Sequence, residues 1–345
     1  MSLKSLLLTC SFIVAVYNVG FTQTGGVGTY KFLEKAGSAR SASLGEKNIS
    51  VSDGDLNMVA NNPALLTESS ASKLALNYLS YYADISMGYA AYSLKQNSKA
   101  SLAAGIQYIN YGSFDGRDVV GNATSSFNAT DMALNIFYSR PIDSAFHIGV
   151  TVKPLLSYYE KYSSMGIAFD AGATYTMDEG RLTFAAVIRN VGSQIKPYVS
   201  GKYEDLPFEA MLGVSQRLHH APFRISLTLH SLQRYEMTYD DVFENESSFG
   251  ESASDSKAEK FMENVLRHAI IGVEFLPSKS LFINGSFNYQ RRKEMMLLDA
   301  PGATGFAFGG GLNLRRFSFC YSYSQYFVSG GAHTFSLQLN LAPQE

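Results

Sequence analysis

The sequence predicts an all-β fold, a 14-stranded antiparallel transmembrane β-barrel with an N-terminal plug-like segment. Three observations lead to this fold class. Hydrophobic and polar residues alternate in repeated runs of roughly ten residues, the length of a tilted strand that crosses a bilayer. The links between the runs alternate between short and long. Charged residues make up only 17% of the chain.

The composition fits a barrel better than a helical membrane protein or an ordinary soluble domain. Soluble domains average about 25% charged residues, whereas this chain has 17% and a mean hydropathy of −0.05. That hydropathy is too low for a bundle of membrane helices. A barrel that turns apolar residues toward lipid and small or polar residues toward its lumen accounts for both values. A soluble array of β-sandwiches is the competing interpretation from composition alone.

The N-terminus predicts export and sets the domain boundaries. Lys4 precedes an apolar run at 6–16, and a more polar exit covers 17–23, which is the pattern of a secretory signal peptide. We therefore divide the chain into a signal peptide at 1–23, an N-terminal plug or periplasmic segment at 24–71, and an outer-membrane barrel at 72–345. The expected location is the cell outer membrane.

Alternating runs fill the chain from residue 72 onward. In the last of them every second residue is apolar, at Phe335, Leu337, Leu339 and Leu341. No series of amphipathic helices follows to cover such faces, so they require lipid, and outer-membrane lipid is an expected partner. The predicted strands lie near 72–82, 85–95, 100–111, 129–140, 145–158, 163–177, 180–191, 205–218, 223–235, 264–276, 279–291, 303–314, 316–327 and 331–341.

The lengths of the links support the barrel independently. Links after even-numbered strands are short, whereas those after odd-numbered strands are often long, near 112–128, 192–204, 236–263 and 292–302. Outer-membrane barrels show this asymmetry, with short periplasmic turns and long external loops. A soluble sandwich has no reason to sort its links in this way. The even strand count predicts that both termini lie on the periplasmic side.

Residues 24–71 do not alternate and are rich in small side chains. A barrel of fourteen strands encloses more space than its own side chains fill, so this segment is predicted to enter the lumen as a plug. Its structural residues are Phe32, Leu33, Arg40, Asn62 and Pro63. We also expect a short helix over 52–61, capped by Ser52 or Asp53 and ended before the proline.

Arg40 needs an acceptor if it enters the lumen, because a buried charge without a partner is costly. Asp170, Glu209 and Glu274 are the candidates on strand positions. The alternative is that Arg40 is a solvated periplasmic residue.

The segment ahead of the first strand also carries a family resemblance. Its Asn-Pro-Ala element resembles that of the FadL-like outer-membrane proteins, in which the N-terminal segment packs inside a fourteen-stranded barrel. The fuller pattern comprises Gly25-Gly26, Tyr30, Phe32-Leu33, Ser38-Ala39-Arg40, Leu44-Gly45, Ile49-Ser50-Val51, Asp55 and Asn61-Asn62-Pro63-Ala64-Leu65-Leu66. This pattern is similar to that of the PorQ family of the Bacteroidota type IX secretion system, which is related to PorV. One departure is the chain end, where Ala342-Pro343-Gln344-Glu345 stands in place of a terminal aromatic residue.

The resemblance implies a non-catalytic barrel that anchors a cell-surface attachment complex. Its implied partners are a surface protein of the PorZ type, with PorU and PorV as further members. The alternative is a FadL-type transporter of hydrophobic small molecules. Against transport, four cations are predicted to line the lumen, namely Lys153, Arg189, Arg224 and Arg234.

No catalytic, cofactor or metal site is predicted, because no HExxH, CxxC or GxSxG motif occurs. The chain is therefore expected not to be an enzyme. A net charge of −2 offers no basic face for nucleic acid. The partner-binding candidates are Asp240, Asp241, Phe243 and Glu244, in the acidic external loop at 236–263, since binding residues concentrate on loops of rigid scaffolds. The alternative is a solvated loop without a partner.

Overall fold

A computed structural model describes residues 28–94, 99–237, 257–296, 302–327 and 330–342. In this part of the chain fourteen antiparallel strands form one closed barrel, in which each strand pairs with its neighbours in sequence and β14 pairs with β1. The predicted fold class is thus confirmed. The strands are β1 Lys73–Ser80, β2 Ser86–Ser93, β3 Ser101–Phe114, β4 Phe127–Pro141, β5 Phe146–Tyr159, β6 Tyr162–Met177, β7 Leu182–Lys196, β8 Glu209–Arg217, β9 Phe223–Leu229, β10 Ala269–Phe275, β11 Leu281–Asn288, β12 Phe306–Asn313, β13 Phe317–Phe327 and β14 Gly330–Asn340.

The alternation in sequence becomes a wall with two unlike faces. On β14 Thr334 and Ser336 are buried on the inside, whereas Phe335 between them is 41% exposed on the outside. The same holds on β4, where Leu134 and Ile136 point outward on either side of the buried Asn135. Apolar side chains ring the outside with no protein layer over them, so this surface is suited to lipid hydrocarbon.

The two ends of the barrel differ in their connections. We call the end where β1 begins and β14 ends the terminal rim, and the opposite end the distal rim. The terminal rim carries the links 94–100, 142–145, 178–181, 218–222, 276–280 and 314–316, whereas the long links 115–126, 197–208, 230–268 and 289–305 all lie at the distal rim. The predicted sorting of the links by length therefore matches the topology.

Two short helices replace strand ends that the sequence analysis predicted. Strand β9 ends at Leu229 and not near 235, and β10 begins at Ala269 and not near 264. Before β10 the chain forms a helix, α2 (Lys257–Arg267), because its apolar residues recur at helical spacing. Strand β11 ends at Asn288, whose side chain accepts a hydrogen bond from the Arg291 amide and so starts α3 (Tyr289–Met295).

None of the helices in the described residues has the length and apolar character needed to cross a membrane.

Residues 28–71 form a plug inside the barrel. Their helical turns are short, and consist of α1 (Ala39–Ser43) and 3-10 turns at Lys31–Glu34, Leu56–Ala60, Pro63–Leu65 and Glu68–Ser70. The plug crosses the lumen lengthwise, since the Thr29 amide donates to the Asp205 carbonyl in a distal-rim link and the segment then enters β1 at the terminal rim. The start of β1 and the end of β14 thus lie at the same rim, as expected. Residue 28, the first described residue, lies near the distal rim.

The helix expected over 52–61 is only a 3-10 turn at Leu56–Ala60, capped by Asp55 and not by Ser52 or Asp53. The reason lies at Gly54, whose φ of +78° is a left-handed conformation that interrupts a right-handed helix. This turn in the backbone directs Asp53 and Asp55 toward the same arginine.

The plug fits because the wall has glycine where the two meet most closely. A Cβ added at Gly149 of β5 would lie 2.4 Å from the Pro63 carbonyl carbon, and one at Gly172 of β6 would lie 2.1 Å from Asn62 Oδ1. The motif Asn62-Pro63 therefore seats directly on bare backbone of the barrel wall.

We predict that Gly149→Ala destabilises the protein by about 1–3 kcal/mol, because the new methyl group forces the plug away from β5. The measurement is the free energy of unfolding from urea titration in detergent. The control is Gly88→Ala, where the added Cβ meets nothing within 4 Å. Equal effects at the two glycines would contradict this account of how the plug seats.

Candidate functional site

A network of five charges joins the plug to the wall near the terminal rim. Arg40, Arg224 and Glu274 are buried, Asp55 is half-buried, and Asp53 is exposed to the solvent. The Arg40 guanidinium donates to Asp53 (2.6 Å), to Asp55 (3.1 Å) and to Glu274 of β10 (3.0 Å). Arg224 of β9 donates to Asp53 (2.9 Å) and to Glu274 (2.7 Å), so both arginines share both carboxylates. Charge-assisted hydrogen bonds of this kind are the stronger ones in proteins.

Arg40 is therefore a lumen residue, and the alternative of a solvated periplasmic arginine is wrong, since it is 5% exposed. Of the three predicted acceptors, Glu274 is its partner. Asp170 instead pairs with Lys153 (2.6 Å), and Glu209 pairs with Lys47. The sequence analysis missed Asp53 and Asp55, which lie only thirteen and fifteen positions from Arg40 in the same segment.

The other predicted plug residues are buried too. Phe32 and Leu33 are each 2% exposed and pack in an apolar cluster with residues of the first strands. The side chain of Asn62 holds two parts of the plug together. Its Nδ2 donates to the Ile49 carbonyl (2.9 Å), and its Oδ1 accepts from the Ala64 backbone amide (3.0 Å). Pro63 follows it and starts the 3-10 turn that packs against β4, β5 and β6.

The plug contacts all fourteen strands. On one side its turns touch β1 to β6, and on the other α1 packs against β11 to β14. The remaining strands are reached by polar contacts, from Arg189 of β7 to the Leu33 carbonyl, Ser215 of β8 to the Ser50 carbonyl, Asn48 to Ser226 of β9, and Arg40 to Glu274 of β10. The described lumen is thus occupied around its whole circumference.

The cations predicted to line the lumen do not remain free inside it. Lys153 bonds to Asp170 and to Asn190, Arg189 donates to a plug carbonyl (3.0 Å), and Arg224 belongs to the five-charge network. Arg234 was placed wrongly, because it lies beyond the end of β9 and is exposed. Lys153, Arg189 and Arg224 are bonded to the plug or to the wall, so their charge is not evidence against the transport of an apolar molecule.

The distal half of the lumen contains an apolar cluster. Tyr30, Phe32 and Leu33 of the plug pack there against inward-facing side chains of the wall, including Leu79, Met87, Ile109, Leu155 and Tyr326. Above this cluster Tyr111 and Tyr159 each donate a hydrogen bond of 2.8 Å to the buried carboxylate of Asp131. The distal half of the lumen therefore combines an apolar and aromatic cluster with two charged pairs, Lys47 with Glu209 and Glu46 with Arg291.

Helix α2 at the distal rim has its polar face turned inward and its apolar face turned outward. Asn264 accepts from the Met237 amide (2.8 Å) and donates to the Tyr235 carbonyl (2.7 Å), while Arg267 donates to the Met237 carbonyl (3.2 Å). On the other face four apolar side chains are exposed, Phe261 (64%), Met262 (57%), Val265 (41%) and Leu266 (39%). We call these four residues the α2 face.

Ionic contacts fix α2 to its neighbour α3. Glu263 pairs with Arg267 (2.9 Å) and lies 3.7 Å from Lys293 of α3. The hydrogen bond from Arg267, helped by the Lys293 charge, holds the pKa of Glu263 below its usual range. The carboxylate therefore stays ionised at neutral pH, and the helix keeps this orientation. Helix α3 is in turn tied to the plug, because Arg291 bonds to Glu46 (2.7 Å).

The α2 face is a feature that the sequence analysis missed, although apolar residues at 261, 265 and at 262, 266 carry the helical spacing. The predicted partner-binding residues Asp240, Asp241, Phe243 and Glu244 lie outside the described residues, as does the predicted signal peptide at 1–23. Within the described ranges, no three His, Cys, Asp or Glu side chains gather closely enough to hold a metal ion.

The fold is shared with solved outer-membrane channels. The toluene transporter TbuX of Ralstonia pickettii superposes with a TM-score of 0.54 at 11% identity, over 90% of this chain and 99% of that chain. A deletion mutant of the monoaromatic hydrocarbon channel TodX gives 0.55 at 13% identity, over 90% of this chain and 100% of that chain. The toluene transporter TodX of Pseudomonas putida gives 0.52 at 11% identity, over 88% and 96%.

The protein has the fold of the FadL-like outer-membrane barrels. At these identities the likeness concerns the fold and leaves the transported or bound molecule open. No family model matches the sequence, and no curated protein matches it either.

We predict that Arg40→Met lowers the free energy of unfolding by about 3–5 kcal/mol, because Arg224 is then left with three carboxylates in a buried site. Urea titration in detergent measures the loss. The exposed Arg140→Met, on the same half of the barrel, serves as the control and stays within about 0.5 kcal/mol of the parent. A loss at Arg40 no larger than that at Arg140 would show that the network does not hold the plug.

Proposed function

We propose that the protein is an outer-membrane barrel that anchors a protein complex at the cell surface, as the likeness of its N-terminal segment to the PorQ family implies. In this proposal the terminal rim faces the periplasm and the distal rim faces the outside. The observation that carries it is the α2 face, because contiguous apolar side chains exposed on a folded protein mark interaction sites.

The geometry gives the barrel and the helix separate tasks. The wall holds the protein in lipid, and the plug fills the lumen. The polar contacts of Asn264 and Arg267 fix α2 before any partner arrives, so less conformational entropy is lost on binding. The partner would be a surface protein of the PorZ type, with PorU and PorV in the same complex. Asp240, Asp241, Phe243 and Glu244 belong to the same loop and are retained as partner contacts.

We predict that the double variant Phe261→Ser with Val265→Ser weakens co-purification of the PorZ-type protein from solubilised outer membranes roughly tenfold or more. Removing two central apolar anchors from an interface costs at least about 2 kcal/mol, whereas the barrel loses no buried contact. The matched control is Val119→Ser with Val120→Ser, which are 104% and 82% exposed in another distal-rim link. Equal retention in the two variants would remove the α2 face from the interface.

A second candidate is the passage of hydrophobic small molecules. The apolar cluster in the distal half of the lumen, around Phe32 and Leu155, supports it, because such a lining suits an apolar ligand that enters from outside. The fold comparisons also favour this candidate over the first, since the similar structures are named as toluene transporters and a monoaromatic hydrocarbon channel. Passage requires that the plug move, because the described lumen is occupied.

Uptake into proteoliposomes separates the two candidates. The anchoring proposal predicts that a labelled fatty acid and toluene enter vesicles that contain the protein no faster than protein-free vesicles, since the plug blocks the lumen. The transport candidate predicts faster uptake that saturates and is reduced by unlabelled fatty acid. Saturable, competed uptake by the parent protein would overturn the purely anchoring role.

A further inference from the structure

A cavity opens at the terminal rim between the plug and the ends of the strands. Its volume is about 400 Å³, within the range of ligand sites in proteins. We call it the vestibule. Its lining includes six cationic side chains, those of Arg40, Lys73, Arg217, Arg224, Lys279 and Arg315. The carboxylates that line it are those of Asp53 and Asp55.

These two carboxylates are already engaged. Asp53 accepts from Arg40 and Arg224 through its oxygens, and Asp55 accepts from Arg40 and from the Asn57 amide. The Lys73 ammonium donates to the Gly54 carbonyl (2.7 Å). Among the described residues, Arg217, Lys279 and Arg315 have no such acceptor, so the vestibule holds more positive than negative charge.

Three of the lining cations are exposed and lie at its mouth. Arg217, Lys279 and Arg315 make no ion pair or side-chain hydrogen bond within the described part of the chain. Lys279 and Arg315 lie in the links at 276–280 and 314–316, and Arg217 immediately precedes the link at 218–222. These three links follow one another around the rim. Because these cations converge on one cavity, an anion there would meet several donors at once.

The links of this sector supply no carboxylate that could neutralise the three cations. The three links contain no Asp or Glu, whereas the links at 142–145 and 178–181 contain Asp143, Asp178 and Glu179.

Part of the floor of the vestibule is apolar. Leu276, Phe282 and Cys320 line it, and the Arg40 guanidinium lies 5.2 Å from the centre of the Phe282 ring. A bare inorganic anion would use the cations but leave this floor uncovered. A short peptide with carboxylates on either side of an apolar residue would use both.

We propose that the vestibule binds an acidic peptide segment of a soluble partner, whose carboxylates bond to Arg217, Lys279 and Arg315 and whose apolar side chain rests against Phe282. This site lies at the opposite end of the barrel from the α2 face. It is therefore independent of the function proposed above, and each can fail without the other.

The test uses the full chain in lipid nanodiscs, which leave both rims accessible, and fluorescence anisotropy of a labelled pentapeptide Glu-Glu-Phe-Glu-Glu. The matched probes are Gln-Gln-Phe-Gln-Gln, which removes the charge, and Glu-Glu-Ala-Glu-Glu, which removes the ring. We expect saturable binding of the first peptide, weaker binding of the other two, and loss of affinity between 0.1 and 1 M salt, over which the Debye length falls from about 10 to about 3 Å.

The variant Arg217→Gln with Lys279→Gln and Arg315→Gln should raise the dissociation constant at least about tenfold, since rim charges govern such an encounter. Arg140→Gln with Lys161→Gln and Lys202→Gln makes the same change in net charge at exposed positions elsewhere and should bind as the parent does. No saturable binding by the parent, equal binding of the glutamine peptide, or unchanged affinity in the first variant would overturn the proposal.

Discussion

The structure depends on the bonds that Arg40 makes inside the barrel. Moving Arg40, Arg224 and Glu274 out of water costs several kcal/mol per ion, and the pairing of the two arginines with Glu274, Asp53 and Asp55 offsets that cost. Because two of the carboxylates belong to the plug and one to the wall, the network can be complete only when the plug is seated. The lumen is then filled, and the surfaces left for function are the two rims.

The rims carry opposite chemistry because the links that build them differ. The short terminal-rim turns place cations around a cavity, whereas a long distal-rim link has room for α2 and its exposed apolar face. The plug connects the two ends, since Glu46 bonds to Arg291 of α3 and Arg40 bonds to Glu274 near the terminal rim. A movement of the plug would therefore change contacts at both ends of the barrel.

Most of the wall could be predicted from the sequence, because alternation reports directly which side chains face lipid. Phe335 and Ser336 face opposite sides as their pattern indicates. The cost of an unpaired charge placed Glu274 among three possible acceptors for Arg40, and the sequence did not decide between them or between a buried and a solvated arginine. The roles of Asp53 and Asp55 could not be predicted, because they depend on a left-handed turn at Gly54. The α2 face was missed because Phe261 and Met262 were assigned to the loop at 236–263 and the rest of the face to a strand from 264. No local pattern shows that these side chains point to solvent. The partners proposed for it come from the family resemblance.

The central claim is that the seated plug closes the lumen, and single-channel recording in planar lipid bilayers tests it most directly. Insertion of the protein into the bilayer is verified separately by protection of the strands from protease. The account predicts no discrete conductance steps above the bare bilayer, because residues 28–71 contact every strand of the wall. Stable steps that scale with salt concentration would show an open water-filled path and would contradict it.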